Sequence, residues 1–137
     1  MSIDGTEARQ LTEKVSSTPS VSPDGTLVAC EYKDDDKAPS RLVILSIADG
    51  KLVKMFDTPR TANFTNGIRW TPDGKAVCYR DWANGIWRQD LNGGPPQRLK
   101  GLPEEKLYSF GWSRDGKHFA FARGRGIRDA VLIRNVN

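Results

Sequence analysis

Ile68-Arg69-Trp70-Thr71-Pro72-Asp73-Gly74-Lys75-Ala76-Val77-Cys78-Tyr79 sets two short apolar runs on either side of Thr-Pro-Asp-Gly. A strand, a tight turn and a second strand read this way: Pro72 presets φ at the first turn position, and Asp-Gly accepts the left-handed conformation that closes it. The same mark, Ser/Thr-x-Asp-Gly, recurs at Ser22-Pro23-Asp24-Gly25 and at Ser113-Arg114-Asp115-Gly116, with Leu27–Cys30 and Phe119–Ala122 as the following apolar runs. The three aspartates are spaced by 49 and then 42 positions. Those intervals fall within the periods of propeller blades and lie well beyond helical repeats of about 33 or 34 residues.

What lies between the turns completes a four-stranded unit. Third strands are expected at Leu42–Ile47, Ile86–Leu91 and Ala130–Val136; the first two run into the turns Ala48-Asp49-Gly50 and Asn92-Gly93-Gly94 and then into fourth strands ending at Phe56 and Leu99. The opening stretch, Ser2 to Thr12, matches the turn and fourth strand of the repeats. The chain therefore reads as all-β, about three four-stranded antiparallel blades of strands a to d, starting with a strand d and ending with a strand c. Residues 1–17 carry the outer strand of an incomplete blade, 18–60 and 61–103 are full blades, and 104–137 is a blade lacking its outer strand. No segment shows the 3.6-residue period with caps that marks a helix.

Composition agrees with a globular chain. Of 137 residues, 37% are apolar and 9% aromatic, enough for a core. The net charge of +4 is a modest surplus spread along the chain, whereas nucleic-acid binders concentrate Lys and Arg on one element. Its densest basic stretch, Arg123 to Arg128, reads as a solvated hairpin loop, so nucleic acid is not an expected partner. No run of 18 apolar residues predicts a membrane helix, and Met1 to Gly5 lacks the basic and apolar regions of a signal peptide. As written the chain is expected in the cytoplasm; as a section of a longer exported protein it would be periplasmic. Cys30 and Cys78 belong to different blades and to opposite strand faces, so they are expected as buried free thiols.

Together these stretches resemble the TolB-type, WD-repeat-like β-propeller family, through Ser20–Cys30, Ile68–Tyr79, Ile86–Leu99, Trp112–Phe121 and Asp4–Thr12. Ile86 to Pro96 and Tyr108 to Lys117 are most similar to the C-terminal blades of propellers fused to bacterial serine/threonine kinases and to winged-helix transcriptional regulators. The resemblance implies a propeller fold and a protein-binding role. Departures from the pattern are Arg114 in place of the turn proline and Val21 where Trp70 and Trp112 stand in the sibling blades; type I turns tolerate both.

Known propellers close with four to eight blades, and three would leave blade faces bare to water, which solubility disfavours. Two solutions follow: the chain is part of a larger propeller, or two copies close a six-blade ring, each donating its first strand to the partner's last blade.

Catalytic constellations are not found. The only histidine, His118, sits on a strand without a serine elbow or a cysteine at motif spacing, so no catalytic residue, metal or cofactor is expected. Asp34-Asp35-Asp36-Lys37 lacks the 1, 3, 5 spacing of a calcium loop and reads as a solvated hairpin tip. Asp24, Asp73 and Asp115 read as turn formers. In a blade, the a–b and c–d turns share one face, and the b–c and d–a loops share the other. The non-repeating segments Lys33–Ser40, Thr58–Phe64, Asp81–Asn84, Leu102–Lys106 and Arg123–Asp129 therefore gather on the second face, where recognition is expected. The candidate binding residues there are Asp34, Asp35, Asp36, Arg60, Trp82, Asn84, Arg123, Arg125 and Arg128. Trp82 leads the set as an aromatic in a loop; its other reading is packing against a neighbouring blade. The expected function is a non-enzymatic scaffold that binds a protein or peptide. Alternatives are an accessory or sensor propeller of a larger serine/threonine kinase or serine peptidase, and small-ligand binding in the central channel.

Overall fold

The computed structural model describes residues 8–35, 37–65, 67–83, 85–102 and 105–124. Every regular element among them is a strand, and every strand pairing is antiparallel. The first blade is the sheet β1 (Val15–Val21), β2 (Leu27–Lys33), β3 (Arg41–Ser46) and β4 (Leu52–Phe56), paired in chain order. In the second blade β5 (Ala62–Asn63) and β6 (Arg69–Trp70) both pair with β7 (Ala76–Asp81), which continues through β8 (Ile86–Asp90) to β9 (Gln97–Arg98). The third blade contributes β10 (Leu107–Trp112) and β11 (Phe119–Arg123). Its expected third strand, Ala130–Val136, lies outside the described residues.

The repeated turns are one hydrogen-bonded design. In the second copy Thr71 N donates to Ala76 O at 2.9 Å and Gly74 N to Thr71 O at 2.9 Å. The Thr71 hydroxyl donates to Asp73 Oδ1 at 2.6 Å, and that carboxylate accepts Lys75 N at 3.0 Å. Ser22/Asp24 and Ser113/Asp115 repeat the pattern, each hydroxyl meeting its carboxylate at 2.5 Å. The hydroxyl bond and the backbone N–H that follows it hold all three carboxyls below the usual aspartate range. These aspartates are turn formers, as their spacing predicts. Ile47 N donates to Thr26 O and Leu91 N to Lys75 O, both at 2.9 Å, which places the c–d turns beside the a–b turns on one face.

The core lies between blades. Alternation along β2 and β3 sends Ala29, Leu42 and Ile44 toward the second blade, where they meet Ile68, Trp70, Val77 and Tyr79. The opposite alternation sends Cys78 and Ile86 toward Leu107 and Phe110 of the third blade. Cys30 and Cys78 are both buried and free, on opposite faces of their sheets, and burial pushes their thiols up to about 11 and about 12. Two polar ties cross the same seams: Trp70 Nε1 donates to Ser20 O at 2.8 Å, and Arg80 Nη1 donates to Tyr108 O at 3.1 Å.

Two sequence expectations are corrected. The opening stretch, expected as the outer strand of an incomplete blade, instead lies through Leu11 on the outward face of the first blade. Val28, Cys30, Val43 and Leu45 are buried there with Leu11 packed on them, and the Arg9 guanidinium holds that segment down on the Ala48 and Ile47 carbonyls. Residues 8–12 join no ladder. Secondly, the stretch 58–64, expected as loop, contains β5. The inner strand of the second blade starts early as β5, pairing up to Asn63 opposite Arg80, and resumes as β6 at Arg69 opposite Cys78, so that the ladder is broken opposite Tyr79. Smaller register shifts interrupt β1 between Ser17 and Ser20 and β10 between Leu107 and Ser109. A break of this kind has no period of two to betray it, yet Phe64 and Ile68 beside it are buried.

Tyr79 is fully buried, and among the described residues its hydroxyl finds no hydrogen-bond partner. Burial raises its pKa above the ordinary tyrosine value. Tyr79→Phe removes an unmatched polar group while keeping the ring against Phe64, and is expected to stabilise the protein by about 1 kcal/mol. Urea denaturation checks this: the midpoint moves to higher urea at unchanged slope.

Candidate functional site

The b–c and d–a loops share the face opposite the Asp-Gly turns, and hydrogen bonds tie them together. Thr58 Oγ1 donates to Ser40 O at 3.0 Å, joining the loop after β4 to the loop before β3. Trp82 N donates to Thr61 O at 2.9 Å, joining the loop after β7 to the same segment. Gly124 N donates to Lys106 O at 3.1 Å in the third blade.

Between the first two loops lies an open cleft of about 630 Å³. One wall is Lys37, Pro39, Ser40 and Arg41; the other is Asp57, Thr58, Pro59, Arg60 and Ala62. The walls are braced. Ala62 N donates to Pro59 O at 2.8 Å, closing a turn that carries Arg60. Asp35 Oδ1 accepts Lys37 N at 2.8 Å and Ala38 N at 2.9 Å, a local side-chain turn. The Ser40 and Ser17 hydroxyls both donate to the Glu31 carboxylate. Three cations therefore face a cleft with one carboxylate in its lining. Arg41 is shared with Asp34 at 3.8 Å, which also faces Lys14 at 3.9 Å. Among the described residues, neither Lys37 nor Arg60 has an ion-pair partner within 4.0 Å.

Beside this cleft, Trp82 is 70% exposed. Its side chain does not pack between blades, so the alternative reading of that residue is set aside. The exposure has a local cause in the side chain before it. Asp81 is 2% exposed; its carboxylate accepts Gly85 N at 2.6 Å and Trp87 Nε1 at 2.8 Å and faces Arg98 Nε at 3.8 Å. Asp81 thus turns inward to close the loop, and alternation along the strand end leaves Trp82 outward.

The candidate residues fall into four groups. Arg60 and Trp82 are brought together through Thr61, and Asp34 reaches the cleft wall through Arg41. Asp35 is spent on the turn of its own loop. Arg123 pairs with Glu105 at 3.6 Å in the third blade, away from the cleft lining. Asp36, Asn84, Arg125 and Arg128 lie outside the described residues. Sequence reasoning missed Lys37, Arg41 and Asp57 as cleft residues. Arg41 falls between the loop Lys33–Ser40 and the strand expected from Leu42, and only its place at the loop margin marks it. On the opposite face a smaller cleft of about 350 Å³ lies between the first two Asp-Gly turns, lined by Pro23, Asp24, Pro72 and Asp73 among others.

No protein-family profile matches the chain, and no curated protein matches it. Among solved structures, the chain is similar to TolB from Acinetobacter baumannii, with a TM-score of 0.60 at 23% sequence identity, over 76% of this chain and 25% of that one. The likeness is one of fold: the chain is built of TolB-like β-propeller blades and spans about a quarter of the TolB chain's length.

Proposed function

We propose that the chain is a non-enzymatic propeller scaffold that binds a protein or peptide partner through its b–c and d–a loop face. The observation that carries this reading is the braced cleft beside an exposed tryptophan, on the face where the non-repeating loops gather. Variable loops on a rigid scaffold are where recognition concentrates, and an exposed Trp is the residue type most enriched at binding hot spots. The ring is completed by further blades, from a second copy or from the remainder of a longer protein.

Site-specific photocrosslinking in the native cell tests the choice of face. Trp82→p-benzoylphenylalanine is expected to give a defined adduct with another protein, and Lys75→p-benzoylphenylalanine, on the Asp-Gly face, none. No adduct from position 82, or equal yields from the two positions, overturns the assignment.

A further inference from the structure

The cleft between 37–41 and 57–62 has a charge pattern that narrows what binds there, and the narrowing rests on the loop-face reading above. We propose that it takes an acidic, extended peptide segment of the partner, with glutamate or aspartate side chains against Lys37, Arg41 and Arg60. Three cations and one carboxylate line it, while the nearby acidic groups are engaged elsewhere: Asp35 with its own loop backbone and Asp34 between Lys14 and Arg41. An incoming carboxylate thus meets two cations, Lys37 and Arg60, that have no ion-pair partner to displace among the described residues.

Shape favours a peptide over a small anion. A small ligand is held where most of its surface is buried, and this cleft is about half open to solvent. An extended chain tolerates a half-open cleft, because one row of its side chains faces the site and the other faces water. Pro39 and Pro59 supply stiff apolar surface within the cleft, and the Thr58–Ser40 and Trp82–Thr61 bonds fix the two walls before anything binds. Preorganisation of that kind reduces the ordering cost of binding. Folding does not depend on Lys37 or Arg60, since both are exposed and neither holds another element.

The probe is a synthetic decapeptide of alternating glutamate and valine, followed by amide NMR titration of the whole chain. Its glutamine counterpart and a single-stranded oligonucleotide serve as the other arms. The glutamate peptide is expected to shift the amides of Lys37, Arg41, Arg60 and Ala62, to bind more weakly as salt rises, and to lose about tenfold in affinity in the Lys37→Glu/Arg60→Glu variant. An unchanged spectrum of the unliganded variant away from those positions shows that its fold is intact. The proposal is overturned if the glutamine peptide binds equally, if the shifts fall on other surfaces, if the double variant binds as well as the parent, or if the oligonucleotide competes at the same residues with higher affinity. Crosslinking from position 82 reports on the face independently of charge. An adduct there without acidic-peptide binding retains the scaffold reading and discards the acidic partner.

Discussion

Trp70→Ala is expected to cost about 4 kcal/mol of stability, in the range of large aromatic truncations in a core. The side chain is 7% exposed and packs in the cluster that joins the first two blades. Its indole N–H is also a tie between their inner strands, through Ser20 O at 2.8 Å. Two losses therefore add: a cavity between blades, and a carbonyl left without its donor. Trp70→Phe separates them, because it refills most of the volume and removes only the hydrogen bond, and should cost about 1–2 kcal/mol. Urea denaturation of both variants checks this. A loss below about 1 kcal/mol for Trp70→Ala would mean that the seam between blades does not hold the fold together.

The position of Trp70 also shows how much of the fold was legible. It stands immediately before Thr71-Pro72-Asp73-Gly74, and the three copies of that turn, with apolar runs on either side, imply antiparallel hairpins of equal design. The structure repeats the turn bond for bond, because Ser or Thr, Asp and Gly each perform a local task that needs nothing distant. Irregularity was not legible. The break in the inner strand between Asn63 and Arg69 goes with Phe64 and Ile68 finding the seam between blades, and no local period announces a contact made across a sheet. The covered face of the first blade is similar: Leu11 is one apolar residue in a polar stretch until Arg9 reaches the Ala48 carbonyl at 2.7 Å.

The candidate site divides along the same line. Segments on the loop face followed from blade topology alone, so Arg60 and Trp82 were placed correctly on it. Their neighbours were not, because the cleft exists only where Thr58 bonds Ser40 across 18 positions and brings Lys37 and Arg41 opposite Arg60. The Asp34–Asp36 run drew attention by its charge, yet Asp34 and Asp35 serve to hold Arg41 and to turn the loop. Charge density in a sequence marks solvent exposure; which charges remain available depends on what the backbone has already taken.

Asp81→Ala should be the most damaging change on the loop face, at about 3 kcal/mol. The carboxylate is buried and receives two N–H donors, from Gly85 and the Trp87 indole, with Arg98 nearby. Truncation strands both donors and leaves the backbone bond from Asp81 N to Gly85 O, at 3.0 Å, to close the turn without them. Asp81→Asn keeps one acceptor oxygen for two donors, so it should cost roughly half as much. Packing around Gly85 sharpens the comparison, since a Cβ at that position would overlap Asp81 Oδ2 and Arg98 Nε. Gly85→Ala therefore disturbs the same closure while leaving the carboxylate in place. Hydrogen exchange at the Gly85 amide and the Trp87 indole is the decisive readout: both should accelerate in Asp81→Ala, less so in Asp81→Asn, with the Asp-Gly turns of the opposite face unchanged. If exchange at those two sites stays slow in Asp81→Ala, Trp82 is presented by something other than the inward turn of its neighbour.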